Sequence, residues 1–363
     1  MKRYNSVKYR KDGKTTMPIK DPPFEINAQL LTNAAEISET VGRLSAKMPA
    51  PGPVLRRINR VRTIRGTLAI EQNTLNIEQV TAILNGKHVI APPREIAEVR
   101  NACSVYEKLG EYDPFSTDSL LAAHGAMMRG LIDEAGTFRS GPVGVADSSG
   151  NILHVGTLPR YVPESVENLL KWVRGSKLPM IIKSCVFHYE FELIHPFADG
   201  NGRMGRLWHT LLLATWEPLF AWLPVESVIH DRQEEYYDAL NASNIAGTST
   251  AFIGFMLSAI KEALNEAAET AGLSADPSAA AAPSEKEKPL GKNAEQAASR
   301  RQFILNFLSV SVHPYIMNAD VCEGLGVSSA TANRILTGLC HDGTLKRIRA
   351  GKYWAYQTAE KQK

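Results

Sequence analysis

The segment His195-Pro196-Phe197-Ala198-Asp199-Gly200-Asn201-Gly202-Arg203-Met204-Gly205-Arg206 gathers an imidazole, a carboxylate, two arginines and closely spaced glycines. Histidine titrates near neutrality and suits a general base. Pro196 disfavours helical geometry at the residue before it, so a preceding helix is expected to stop and leave His195 in a loop. Gly200 and Gly202 remove side chains where backbone must approach a ligand closely. From Asn201 a new helix is expected, and its free N–H groups and positive dipole end favour phosphate. Arg203 and Arg206 lie three apart, so both guanidinium groups can reach one face and clamp phosphate oxygens. Asp199 adds a hard oxygen ligand suited to Mg²⁺. The residues alone therefore describe a phosphate-binding turn with a base and a metal ligand. They do not say which phosphorus is attacked.

The elements that must position this segment are mostly helical. The chain has 363 residues with 44% hydrophobic content, enough for two or three domains with ordinary cores. Residues 1–21 are polar and basic and are expected to be a flexible N-terminus. Leu30, Leu31, Ala34, Ile37, Val41 and Leu44 recur at helical spacing, which predicts an amphipathic helix from Ile26 to Lys47, broken by the proline-rich run Met48 to Pro53. Helical patterns follow at Val54–Arg65, Asn76–Leu84 and Pro93–Leu109, and Ser116 opens another. Between Gly136 and Pro163, glycines and prolines punctuate short β-like runs around Asp147–Asn151, predicting a hairpin. Helices are expected again over Glu164–Val173, Met180–Ile194, Asn201–Thr215, Asp231–Ala242 and Thr250–Ala271. Residues 272–298 are rich in Ala, Pro, Ser, Lys and Glu and read as a linker. Over 299–363, helices at Arg300–Val310, Asn318–Gly324 and Ser328–His341 precede a hairpin of Thr344–Ile348 and Tyr353–Gln357, the order of a winged helix.

Composition excludes little and points to an ordinary interior. The 41 basic and 38 acidic residues nearly balance, at net +3, which announces neither a nucleic-acid nor a membrane partner. Four scattered cysteines without a CxxC pair argue against zinc and against a disulfide scaffold, and suit a reducing cytosol. No apolar run reaches spanning length, and the N-terminus lacks the apolar stretch of a signal peptide, so a cytoplasmic location is expected.

The His195–Arg206 segment matches the Fic-family motif H-x-F-x-(D/E)-G-N-G-R-x-x-R at all its fixed positions, and the chain from about Pro22 to Ala271 resembles a Fic domain with its N-terminal helical extension. The resemblance implies a mainly α fold with a β-hairpin flap, an N-terminal helical region over 22–110, a catalytic core over 111–271 and a C-terminal winged helix. It implies a protein adenylyltransferase that moves AMP from Mg-ATP to a Ser, Thr or Tyr hydroxyl of a target protein or of the chain itself. His195 would take the hydroxyl proton, and Asp199 would hold Mg²⁺ bridging the α- and β-phosphates. Gly200, Asn201, Gly202 and Arg203 would cradle the triphosphate, Arg206 would address the γ-phosphate, and Phe197 would anchor the loop. Tyr237 and Asn244 resemble the family's adenine-side contacts. His188, on the preceding helix, is expected to be structural rather than catalytic.

Thr67-Leu68-Ala69-Ile70-Glu71-Gln72-Asn73 resembles the family's inhibitory motif (S/T)-x-x-x-E-(G/N), with Gln72 where Gly or Asn is usual. The resemblance implies that Glu71 pairs with Arg206 and competes with the γ-phosphate. Two other functions are compatible with these residues: removal of AMP from a modified target with Glu71 orienting water, and nucleotide-responsive regulation of transcription through the winged helix. DNA and protein remain equal candidates for the winged helix, a homodimer is admitted, and no membrane partner is expected.

Overall fold

The computed structural model describes residues 21–47, 52–146, 152–270, 300–301, 304–305, 308, 315–325, 327–350 and 353–359. The expected lead-in to Lys20, the linker, the hairpin tip at 147–151 and most of the Arg300–Val310 helix lie outside these residues. The described helices are α1 (Ala28–Lys47), α2 (Pro53–Ile70), α3 (Ile77–Leu84), α4 (Pro93–Glu107), α5 (Thr117–Met127), α6 (Val162–Gly175), α7 (Met180–Ile194), α8 (Asn201–Trp216), α9 (Val225–Asp231), α10 (Gln233–Ala246), α11 (Thr250–Thr270), α12 (Asn318–Leu325) and α13 (Ser329–His341). Strands β1 (Gly144–Ala146) and β2 (Ile152–Val155) form an antiparallel hairpin with an irregularity after Val145. Strands β3 (Ile316–Met317), β4 (Leu345–Ala350) and β5 (Tyr353–Thr358) form an antiparallel sheet in the order β3-β5-β4.

Helix α7 is buried around most of its circumference and occupies the centre, with Ile182, Cys185, Val186, Phe187 and Phe191 buried beside the polar Ser184 and His188. It packs against α8, whose Met204, Leu207, Trp208 and Leu212 are also buried. The amphipathic α1 lays Leu30, Ile37, Val41 and Leu44 on α11, and α2 lies along α9. Local chemistry sets several helix starts. Asn76 and Gln79 make a reciprocal capping box on α3, and Ser116 and Ser328 accept from Ser119 N and Thr331 N to open α5 and α13.

Two expected boundaries move. Helix α2 continues to Ile70 instead of stopping at Arg65, because Ile64, Leu68 and Ile70 are all buried and packing outweighs the helix-weakening Gly66. The helix expected over Asp231–Ala242 starts later, at Gln233, because Asp231 ends a separate preceding helix α9, and α10 runs on to Ala246 before Gly247 turns the chain with φ of 63°. After β3, the helices α12 and α13 and the β4–β5 hairpin follow in winged-helix order.

Candidate active site

Helix α7 ends at Ile194, and His195 takes the C-cap position at φ 51° and ψ 61°. Pro196 thus terminates the helix as expected, but His195 adopts left-handed backbone instead of the extended form usual before proline. That conformation is held by the base of the β1–β2 hairpin. Thr157 N donates to Ile194 O (3.2 Å) and Arg139 N to Pro196 O (3.1 Å). The buried Arg139 side chain donates from Nε to His195 O (2.7 Å) and from Nη1 to Gly141 O (2.7 Å), and its Nη2 reaches Thr157 O. The hairpin is thereby tied to the carbonyls on both sides of the imidazole. Arg139→Lys is expected to cost about 2–3 kcal/mol, because an ammonium cannot reproduce the fork that satisfies several carbonyls at once. Denaturant unfolding of the two proteins measures that difference.

Phe197 is fully buried and stacks on His124, with ring centroids 3.6 Å apart. Gly136 N donates to His124 Nδ1 (3.0 Å), so Nε2 carries the proton and donates to Asp199 O (3.0 Å). Burial pushes the His124 imidazole down to about 4, which keeps it neutral in this role. Asn201 Oδ1 accepts from Phe197 N and its Nδ2 donates to Phe197 O, both at 2.9 Å. The Asn201 side chain therefore staples the loop, each end of its amide bonded to the Phe197 backbone.

Gly200 turns into α8 at φ 85° with no side-chain cap, so the helix presents its first N–H groups to the loop. Beside this end, Asp199 accepts from Gly200 N (2.6 Å) and Arg203 Nη2 (3.1 Å) through Oδ1, and from Arg94 Nη2 (3.3 Å) through Oδ2. Arg203 is almost fully buried and also faces Glu98 at 3.6 Å, while Glu98 accepts from Asn73 Nδ2 (2.9 Å). Asp199 is 40% exposed, a single hard carboxylate next to an open helix N-terminus. That donor set fits Mg²⁺ completed by nucleotide phosphates better than a cage made wholly of protein ligands.

Arg206, one turn further along the same helix, is 1% exposed. Its Nε donates to Thr67 Oγ1 (3.0 Å), and its Nη2 donates to Thr67 O (3.1 Å) and to Glu71 Oε1 (2.6 Å). Burial is the largest influence and works against the charge, but Glu71, Tyr236 and Glu192 together outweigh it and hold the guanidinium above its ordinary value. Glu71 is the C-cap of α2. A side chain at position 202 would collide with the Glu71 carboxylate, so the glycine there lets the pair form. Gln72, the departure from the inhibitory pattern, sits at φ 67°, a left-handed conformation that costs a non-glycine residue about 1 kcal/mol. The contact survives because α10 supports the turn: Gln233 Nε2 donates to Ile70 O (3.1 Å) and Tyr237 OH to the same oxygen (3.5 Å). Tyr237 is thus beside Glu71, whereas Asn244, two turns on, accepts from Tyr189 OH (3.1 Å).

Beneath the loop, Glu192 lies 3.9 Å from His195 Nδ1 and 3.8 Å from His188 Nε2, and His195 Nδ1 is 3.3 Å from the Glu192 carbonyl. Burial pushes the Glu192 carboxyl up to about 7. His188 is buried against Tyr236 OH (3.2 Å) and is driven well below its ordinary value by burial and by His209, in keeping with a structural role. His209 is pushed down to about 4 by burial. A folded value below the unfolded 6.5 means that neutral His209 contributes stability fully above pH 6.5 and loses it as pH falls toward 4. His209→Phe is expected to remove this loss, so the wild type weakens relative to the variant by about 3 kcal/mol between pH 7 and 4. Urea unfolding of both proteins across that range gives the measurement.

The structure brings His195, Asp199, Gly200, Asn201, Gly202, Arg203, Arg206 and Glu71 into one neighbourhood, with Tyr237 at its edge. The sequence reading missed Arg139, His124, Glu98 and Arg94. Arg139 precedes an ordinary glycine-proline turn and His124 lies on an apolar helical stripe, so neither carries a local signal for its long-range bonds.

A Fic/DOC family model matches residues 114–213. The chain is 39% identical to a Fic family protein of known crystal structure from Desulfovibrio desulfuricans G20, covering 95% of this chain and 100% of that one, with a TM-score of 0.67. The chain belongs to the Fic family. It is also 33% identical over 197 residues to the protein adenylyltransferase fic-1 of Caenorhabditis elegans, a match to 49% of this chain and 35% of that protein. The protein adenylyltransferase Fic of Nematostella vectensis is 28% identical over 201 residues, 52% of this chain and 44% of that protein. The chain thus spans less than half the length of these curated relatives.

Proposed function

We propose that the chain is a protein adenylyltransferase restrained by its own Glu71, with 111–271 as the catalytic core and 22–110 as the restraining region. The pairing of Glu71 with the buried Arg206 at the phosphate-facing end of α8 carries this reading. His195 Nδ1 donates to the Glu192 carbonyl, which leaves the lone pair on Nε2 to accept the proton of an incoming Ser, Thr or Tyr hydroxyl. The hydroxyl oxygen forms a bond to the α-phosphorus of ATP as the bond to the pyrophosphate oxygen breaks. Arg203 and the N–H groups that open α8 stabilise charge on the phosphates. Asp199 would hold Mg²⁺, which when bound offsets phosphate charge. Arg206, once free of Glu71, would receive the γ-phosphate through its fork. The β1–β2 hairpin would hold the target segment by strand pairing.

The identity of the transferred group tests this directly. The Glu71→Gly protein is incubated with a lysate and with ATP labelled at either the α- or the γ-phosphate. Protein-bound label from the α-position alone supports AMP transfer. Label from the γ-position, or from neither, overturns it.

A further inference from the structure

Glu192 takes no part in the proposed reaction, although its carboxyl lies directly beneath His195. It stands on α7 one turn before His195, and its side chain is only 15% exposed. Oε2 lies 3.9 Å from His195 Nδ1, and Oε1 lies 3.8 Å from His188 Nε2. Oε1 is buried and accepts no hydrogen bond among the described residues. Helix α8 makes room for it. A side chain at position 205 would meet Oε1 at 2.8 Å and His188 Cδ2 at 2.9 Å, so the glycine there admits a carboxyl at this depth. A buried carboxyl oxygen that no donor satisfies costs stability, and an apolar side chain of similar length would not. Costly, perturbed carboxyls of this kind cluster where chemistry is done.

The groups facing Glu192 leave its charge to His195. On α7, His188 is fully buried and is held neutral by burial, His209 and Arg206. On α8, Arg206 favours the carboxylate, but its own ion pair is with Glu71 at 2.6 Å. Glu71, at the end of α2, disfavours it, and α10 contributes the neutral hydroxyls of Tyr236 and Tyr237. Burial is the largest influence, and the balance pushes the carboxyl up to about 7, so its charge changes near neutral pH.

We propose that Glu192 is a positioning residue for His195, its carboxylate supporting the positive charge the imidazole gains on taking the hydroxyl proton at Nε2. The proton stays on the imidazole and none passes to Glu192. Opposite charges 3.9 Å apart and shielded from water favour the imidazolium, which makes neutral His195 a stronger base. His195 Nδ1 also donates to the Glu192 carbonyl, so one residue orients the ring through its backbone and supports its charge through its side chain. This part for Glu192 rests on AMP transfer with His195 as the base.

The test compares Glu71→Gly with Glu71→Gly/Glu192→Gln at saturating ATP from about pH 5.5 to 8.5. At the acid end Glu192 is protonated, both side chains are neutral, and the two proteins are expected to transfer AMP at the same rate. At the alkaline end only one of them carries the carboxylate, and the Gln protein is expected to be about tenfold slower. A structural role would give one ratio at every pH, and that result overturns the proposal. A second measurement needs no transfer. Followed by NMR, the His195 ring is expected to titrate about one pH unit lower with Gln at position 192 than with Glu. Equal midpoints overturn the proposal as well. Should Glu71→Gly transfer nothing, the failure lies with AMP transfer, and the midpoints still decide whether Glu192 acts on His195. Should the Gln variant unfold, Glu192→Met, of similar length and without a polar end to satisfy, takes its place in both comparisons.

Discussion

Glu71→Gly is expected to raise AMP transfer over the wild type on the order of a hundredfold, a barrier change of about 2.7 kcal/mol. The size follows from what the carboxylate occupies. Glu71 Oε1 sits 2.6 Å from Arg206 Nη2, in a place where a γ-phosphate oxygen would be bound by the same fork. The guanidinium is buried and cannot turn outward to a second partner, so carboxylate and phosphate exclude each other. The substitution has a cost. Arg206 keeps Thr67 as an acceptor but loses its counter-charge, and removing one member of a buried pair destabilises by about 3 kcal/mol. The variant should therefore melt lower than the wild type without nucleotide and recover more of that loss when ATP is added. Thermal melts with and without ATP, beside initial rates of label incorporation, check both halves.

His195→Ala, placed in the Glu71→Gly protein, is expected to reduce transfer by about 10² to 10⁴, the range for loss of a positioned general base. Nucleotide affinity should change little, because the imidazole stands on the α7 side of the loop and the phosphate-facing groups are on α8. A separate measurement of ATP binding by calorimetry divides the two effects. Equal loss of binding and transfer would mean that His195 shapes the pocket instead of moving a proton.

The turn from His195 to Arg206 was legible because its demands are local. Pro196 ends one helix, Gly200 takes positive φ and Arg203 and Arg206 are fixed by helical spacing. Glu71 was legible through resemblance, and its contact with Arg206 then appears at a separation of 135 residues. What could not be read is the scaffolding. Arg139 acts on carbonyls 55 residues away and His124 on a carbonyl 75 residues away, and neither pairing leaves a periodic trace. The extent of α2 was hidden for a related reason. Gly66 weakens the helix in isolation, and only burial of Leu68 and Ile70 carries it on to Glu71. Asn201 belongs to the motif, and its bonds to both backbone groups of Phe197 add a loop-shaping part that its position in the motif did not reveal.

The claim at the centre of this account is that Glu71 stands where the γ-phosphate belongs. Calorimetric titration of wild type and Glu71→Gly with ATP and with ADP measures it without needing a target protein. The preference for ATP over ADP should grow about tenfold in the variant, since only ATP brings a group for the freed Arg206. An unchanged ATP-to-ADP preference on removing the carboxylate would contradict it.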